Sequence, residues 1–408
     1  MRRKYLFYTL ALLSGFFTSL MIIVDIWILS KIIIDLWLFA ISLLWAGVYI
    51  HFILLIVLSL KVNKKEPLGS FLDPLFTGIF VPREKIFYYL LLSGFGNAVS
   101  SLGYFVLISI VPDPSAIAPF TSLVIVYLMI GDMIIEREKP SLIEVQNLLI
   151  ILLGVMLVSF SKGTIDPLSL LLVLGPINIG SFLYNYGQRR AKLIGRSLGM
   201  SDSINFRFWS LLFTALIFPV LILPLTRLEK ILRGLYYSIV FFVPLAIDML
   251  ITFFAMVFYI RALGMGKMSI VNALSSTSVI FSLPLTAVLS VRFPEVYELP
   301  SFEGALLYLR IIGIALVFLG IIAIALSEIT AYILIKARPG YISKLLLEIQ
   351  KIRGVEWVSI IIGKYDLIVR VKTRVYSKVY DNIIRRIIQL EGIEDFHWIS
   401  VLKEWERI

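Results

Sequence analysis

The stretch "IRGVEWVSIIIGKYDLIVRVK", Ile352 to Lys372, decides how the end of this chain folds. Gly354 is placed to stop a helix, a strand follows, and a polar loop leads into "DLIVRVK" (366–372). That last segment alternates, which puts Leu367, Val369 and Val371 on one face of a strand. Upstream, "AYILIKA" (331–337) is a short run rich in Ile and Tyr, the composition of a strand. After Pro339 and Gly340 comes a helix whose Ile342, Leu345, Ile349 and Ile352 form one stripe. Downstream the pattern recurs: "YSKVYDNIIRRIIQLEGIEDFHWISVL" gives a helix with Val379, Ile383 and Ile387 in a stripe, a stop at Gly392 and a strand from Ile393.

Strand, helix, strand, strand, helix, strand is the split β-α-β, or ferredoxin-like, order. Its helices cover one face of the sheet and leave the other open. An open apolar face needs a partner, so the domain is expected to pair with a second copy, making the protein a homodimer.

Nothing upstream reads this way. Of the 408 residues 59% are hydrophobic and 16% charged, with a mean hydropathy of +0.94, which exceeds what a soluble chain of this length tolerates. A spanning helix needs about 20 apolar residues. Runs of that kind lie near 5–24, 36–58, 87–110, 116–135, 143–160, 168–187, 205–225, 237–260, 269–291 and 306–326, ten in all, separated by turn and charge signals. The first, behind "MRRKY", is too long for a signal-peptide core and is expected to be retained. Lys and Arg collect on one set of connectors, including Arg2, Arg3, Lys61, Lys64, Lys65, Arg189, Arg190, Lys192, Arg196 and Arg207. Positive charge resists translocation, so both termini are expected in the cytoplasm of a multi-pass cell-membrane protein. The net charge of +11 therefore need not signal nucleic acid.

The runs repeat. "SAIAPFTSLVIVYLMIGDMII" (115–135) lies over "MSIVNALSSTSVIFSLPLTAV" (268–288), and "NLLIILLGVML" lies over "GIALVFLGIIA", with Gly154 and Gly320 at matching places. Two matches in one order indicate a duplicated five-helix unit. Because five is odd, the copies are inverted, the plan of many secondary transporters. Residues 1–163 and 164–328 are the two repeats, and 329–408 the soluble domain. The fold class expected is thus a polytopic α-helical membrane protein with a C-terminal α+β domain.

These segments resemble the drug/metabolite transporter superfamily, EamA-like branch. Glu138 matches that family's acidic residue after the fourth helix, whereas Asn147 stands where the family often has glycine; Glu295, Glu298 and Glu303 compete for the second acidic position. The resemblance implies a ten-helix carrier that moves a small-molecule substrate by alternating access.

A charge at bilayer depth costs at least about 2.5 kcal/mol, so intramembrane acids are functional candidates. Asp248, in "FFVPLAIDMLITFF", reads as a proton-accepting or cation-contacting group in a central cavity, or as an acid held by a neighbouring hydroxyl or amide. Asn272, Ser275, Ser276 and Thr277 open the ninth run, where they either line a cavity or let helices pack closely. Asn178, Tyr184 and Asn185 in the sixth run and Asn97 and Tyr104 in the third are weaker candidates, since interfacial girdles account for the tyrosines equally well.

Cysteine is absent and there are only two histidines, so no metal site and no cofactor is expected. No GxxxxGK[ST] or HExxH occurs, and "GFGNAVSSLG" has no strand before it. ATP-driven pumping, the commonest metalloproteases and dinucleotide binding are thereby disfavoured, and the chain is not expected to be an enzyme.

The tail resembles the effector-binding domain of the leucine-responsive regulator (Lrp/AsnC) family, most specifically in "GKYD" (363–366). The resemblance implies an amino-acid effector near Gly363, Tyr365 and Asp366; Gly363 and Asp366 read equally as shaping a tight turn. Transmembrane helices occupy the place of that family's DNA-binding partner, so no nucleic acid is implied. A secondary transporter, an exporter by this logic, of a small metabolite such as an amino acid, whose tail senses an amino acid, is the leading expectation. A membrane-anchored sensor without transport is the alternative.

Overall fold

Away from water a helix is the way a single segment satisfies all its backbone N–H and C=O groups, so the apolar runs coil. The structure is a computed structural model that describes residues 3–62, 66–110, 117, 123–136, 142–159, 171–297, 304–326, 329–352, 354–373, 383 and 385–401. Glu138, Glu298, Glu303, Val379 and the expected domain junctions after 163 and 328 lie outside the described residues. The chain divides into two compact units, Met1–Pro140 with Gln146–Ile321 and Ser141–Val145 with Ile322–Ile408.

The first unit is helical. Its elements are α1 (Arg3–Lys31), α2 (Leu36–Ser59), a ribbon of β1 (Lys61–Val62) and β2 (Glu66–Pro67), α3 (Glu84–Ile110), α4 (Ile125–Glu136), α5 (Leu142–Ser159), α6 (Asn178–Ser197), α7 (Ser203–Ile222), α8 (Leu228–Val240), α9 (Phe242–Met265), α10 (Met268–Ser275), α11 (Ser278–Arg292) and α12 (Gly304–Leu326). Among the described residues, six stretches are long and apolar enough to cross a membrane: Leu6–Lys31, Leu36–Ser59, Glu84–Ile110, Ser203–Ile222, Phe242–Met265 and Met268–Arg292. Ile125–Ile135, Val145–Gly154 and Tyr308–Gly320 are shorter apolar helices.

Three expected boundaries move. Helix α1 continues seven residues past the expected end at 24, because Asp25 faces inward and does not break it. The eighth run begins at Phe242, after a separate helix α8 that packs through Gly234 onto Ile41 of α2. The ninth is interrupted at Ser276–Thr277, where the small hydroxyl side chains turn back onto the helix: Ser276 Oγ donates to Asn272 O at 2.9 Å and Thr277 Oγ1 to Leu274 O at 3.0 Å. Ahead of α6, Val173–Ile177 forms a π-turn containing Pro176, whose missing N–H and bulky ring loosen the α-helical ladder.

Small residues let backbones meet. A Cβ on Gly96 of α3 would lie 2.5 Å from Tyr184 N, and one on Gly180 of α6 would lie 2.4 Å from Ser100 N. Side chains are excluded there, so α3 and α6 pack main chain to main chain. Helix α10 lacks a side-chain cap of its own. Asp132 of α4 supplies it, accepting from Met268 N and Ser269 N at 2.8 Å each and from Ser269 Oγ at 2.6 Å.

The segment between α2 and α3 is stitched to the start of α7. Asp73 Oδ2 accepts Ser203 N–H at 2.7 Å and lies 3.6 Å from Lys192 Nζ, which also donates to Ser203 Oγ at 2.7 Å. Asp202 caps α7 by accepting Asn205 N–H at 2.8 Å. Burial raises its carboxyl to about 6, against the lowering pull of Asn205 N–H and Lys192.

The second unit contains β3 (Ile329–Ala337), α13 (Ile342–Gln350), β4 (Val355–Ile360), β5 (Leu367–Thr373), α14 (Arg385–Ile388) and β6 (Ile393–Val401). The sheet runs β4-β5-β3-β6, with every pair antiparallel. Ile333, Ile335, Leu367, Val369 and Val371 are buried against Leu345, Ile349, Ile383 and Ile387, so the stripe expected on α13 and the described part of the second stripe meet the expected strand face. Gly354 and Gly392 each have φ +97°, the left-handed stop that glycine adopts without a Cβ penalty.

The folded state holds Asp202's proton over a pH range where the unfolded chain has already lost it. Its contribution is therefore full below about pH 4, falls as pH rises to about 6 and is flat above, a difference of about 3 kcal/mol. Asp202→Asn, which keeps a capping acceptor, is expected to flatten the dependence of melting temperature on pH between these limits. Identical slopes in detergent melts of the two proteins would refute it.

Candidate functional site

Polar side chains on apolar helices converge on a cavity of about 220 Å³ inside the helical unit. It is lined from α1, α2, α3, the turn before α6, α6 itself, α7, α9, α10 and α11. Asn97, Tyr104, Asn272 and Ser276, expected from the sequence, all line it, as do Tyr184 and Asn185. Asn178 is buried but outside the lining.

Asp248 is fully buried and is also not among the lining residues. Its carboxyl faces that of Asp25, which does line the cavity. The Tyr104 hydroxyl donates to Asp25 Oδ2 at 2.6 Å, while Asp25 Oδ1 and both Asp248 oxygens have no protein donor. Two facing carboxyls shielded from water form a centre able to gain or lose a proton as its neighbours change.

A second charged group enters elsewhere. Arg207 of α7 is 2% exposed and lines the cavity. Its place in the sequence puts it among the cations expected on connectors; the structure places it inside α7, which starts at Ser203, and likewise places Arg189, Arg190, Lys192 and Arg196 inside α6. His51 Nδ1 pairs with Gly47 O at 2.8 Å, which leaves Nε2 to accept from Arg207 Nε at 3.3 Å. Arg207 Nη1 has no partner, and the Tyr184 hydroxyl lies beside the guanidinium without an aligned hydrogen bond.

Hydroxyls and amides complete the lining. Ser100 Oγ donates to Ile177 O at 3.1 Å, at the end of the π-turn, and lies 2.9 Å from Ser181 Oγ. Asn97 Nδ2 donates to Thr214 Oγ1 at 3.0 Å and Asn272 Nδ2 reaches the Tyr259 hydroxyl at 3.4 Å. Asp25 and Arg207 are the charged cavity residues that sequence reasoning passes over. A signal is present, since each is a charge within a long apolar stretch, but both lie just outside or at the edge of the apolar runs.

In the C-terminal unit Gly363, Tyr365 and Asp366 form the turn between β4 and β5. Asp366 Oδ2 accepts Ala337 N–H at 2.8 Å and its own N–H donates to Ile335 O at 3.0 Å, so the carboxylate ties the start of β5 to the end of β3. The Tyr365 ring stacks on His397 with centroids 6.4 Å apart, and a Cβ added to Gly363 would meet nothing within 4 Å. Among the described residues no cluster of His, Cys, Asp and Glu could hold a metal ion.

Residues 330–407 match the Lrp/AsnC ligand binding domain family. The crystal structure of TTHA0845 from Thermus thermophilus is 28% identical over 19% of this chain and 99% of its own, with a TM-score of 0.19. A second solved crystal structure is 15% identical over 79% of this chain and 96% of its own, with a TM-score of 0.46. No curated protein matches the chain. The protein therefore joins an Lrp/AsnC-type ligand-binding domain to helices fit to cross a membrane. No family match covers those helices, and their resemblance to the drug/metabolite transporters rests on the quoted motifs.

Tyr104→Phe removes the donor from Asp25 Oδ2 and leaves a buried acceptor unmet. A loss of about 1–3 kcal/mol is expected, seen as a lower melting temperature of the purified protein in detergent. An unchanged melt would mean that Asp25 does not use this bond.

Proposed function

We propose that this protein is a secondary transporter of a small metabolite such as an amino acid, an exporter, and that its C-terminal domain binds an amino acid in the cytoplasm and adjusts the flux. Ten crossings in two inverted five-helix halves, as in the EamA-like carriers, would carry the cargo by alternating access. The observation that carries this reading is the cavity, lined by polar groups from helices of both halves and holding buried charges of both signs. Buried charges elsewhere in the unit cap a helix or pair, as Asp132 and Lys192 do; burying Asp25 and Arg207 beside a cavity is expensive and makes sense where a polar solute replaces water.

The tail's role follows from the ligand-binding family it matches. An effector shifts a carrier only by the difference in its affinity for the carrier's states. The open sheet face bears Tyr332 against Trp357 with centroids 6.1 Å apart, and Ile399 beside them is exposed. Pairing two tails across this face would make the carrier a homodimer.

The test is reconstitution of the full chain in liposomes loaded with metabolites. Flux altered by an amino acid on the cytoplasmic side is expected. Deleting everything after Ser327 should leave flux that no longer responds, and Asp248→Asn should reduce flux with effector binding intact. Effector binding without flux would favour the membrane-anchored sensor instead.

A further inference from the structure

We infer that the described part of the connector between α2 and α3, residues 66–83, lies on the bilayer surface, with Phe71, Leu75, Ile79 and Val81 entering the boundary between lipid headgroups and acyl chains. The inference rests on the membrane helices alone and stands whether or not the protein carries a solute. Phe71 is 82% exposed and Val81 64%, and Leu75 and Ile79 are exposed as well. Water is a poor surrounding for four such side chains. They cannot turn inward, because the backbone that bears them is fastened to other helices. Asp73 Oδ2 accepts Ser203 N–H at 2.7 Å, and the Leu72 carbonyl accepts from Arg261. Asn205 Nδ2 donates to Gly78 O at 2.9 Å, Asn205 Oδ1 accepts Phe80 N–H at 3.2 Å, and Trp209 Nε1 donates to Phe80 O at 2.8 Å. The inward places are already taken by Gly69, Asp73, Phe76 and Pro82, all buried.

The surroundings specify lipid as the occupant. Helix α2 reaches the connector with Ile56 and Val57 exposed, and α3 leaves it with Phe87 and Tyr88 exposed. Both helices are fit to cross a membrane, so exposed apolar side chains continue along the chain from one span to the next. Aromatic rings such as Phe71 and Tyr88 suit the depth where a span meets the headgroups. Charge agrees: Lys61, Lys64, Lys65, Arg83 and Lys85 flank the segment, against Glu66, Asp73 and Glu84, and Asp73 is already spent on Ser203 and Lys192. Lys64 and Lys65 lie outside the described residues. Cations in excess beside apolar side chains match a surface of anionic lipid. Irregular backbone is barred from the hydrocarbon but not from this boundary, where water still reaches it.

The chain has no cysteine, so each single substitution reports one place. The full chain carrying Phe71→Cys, Leu75→Cys, Ile79→Cys or Val81→Cys is spin-labelled and reconstituted in vesicles of phosphatidylcholine and phosphatidylglycerol. Ile53→Cys, exposed on α2, is the reference for lipid, and Gln350→Cys, exposed on α13, the reference for water. Collision of the nitroxide is measured with oxygen, which concentrates in lipid, and with a water-soluble nickel complex. At most of the four connector positions the ratio of oxygen to nickel collision is expected to lie above that at Gln350 and shifted toward that at Ile53. A ratio equal to that at Gln350 would put the segment in water and overturn the inference. Slow collision with both reagents would mean that protein covers it, a second copy or the C-terminal domain, and would overturn it equally. Every substituted side chain is exposed, and four separate positions keep the outcome readable where one variant fails to fold.

Discussion

Hydrocarbon offers a polar atom no partner, and the helical unit is arranged around that constraint. Side chains that cannot face lipid turn inward and must find either one another or a solute. Asp132 shows the first outcome: its carboxylate is spent on the N-terminus of α10, where three donors within 2.8 Å meet it. Asp25 and Arg207 differ: each is held on one side by a neighbour, Tyr104 or His51, and borders the cavity. Buried acids that look alike in the sequence are thus separated by what surrounds them, one a cap and the other a cavity wall.

The same constraint explains where the helices are irregular. At the end of the π-turn Val173–Ile177 the Ile177 carbonyl accepts from Ser100, and at the interruption Ser276–Thr277 the hydroxyls donate back to carbonyls of the preceding turn. Both irregular places contribute residues to the cavity, Ile177 and Ser276 among them. Irregular backbone at membrane depth is tolerated where it borders a polar space, because only there can its unpaired groups be met. Close glycine contacts between α3 and α6 hold the wall that carries Asn97, Ser100 and Tyr184.

The C-terminal unit obeys the opposite solvent. Its apolar residues alternate along strands and recur along helices, and a single core collects them. Asp366 belongs to that architecture as much as to any ligand, since its carboxylate fastens two strands. Tyr365, stacked on His397 at the end of the sheet, is the part of the turn with chemistry to offer a ligand.

Local pattern settles the described part of the second unit: the stripe on α13, Ile383 and Ile387, the alternating strand and the glycine stops at 354 and 392 are short-range signals, and water enforces them residue by residue. Hydropathy likewise marks the first part as apolar helix, and four of its candidate polar residues, Asn97, Tyr104, Asn272 and Ser276, do meet in one cavity. Which charges belong to that cavity is a matter of packing. Asp25 and Arg207 are far apart along the chain, and composition assigns one to a helix end and the other to a loop. Asp248, conspicuous in its apolar run, stands one layer back, because helix rotation and not hydropathy sets which face of α9 borders the space.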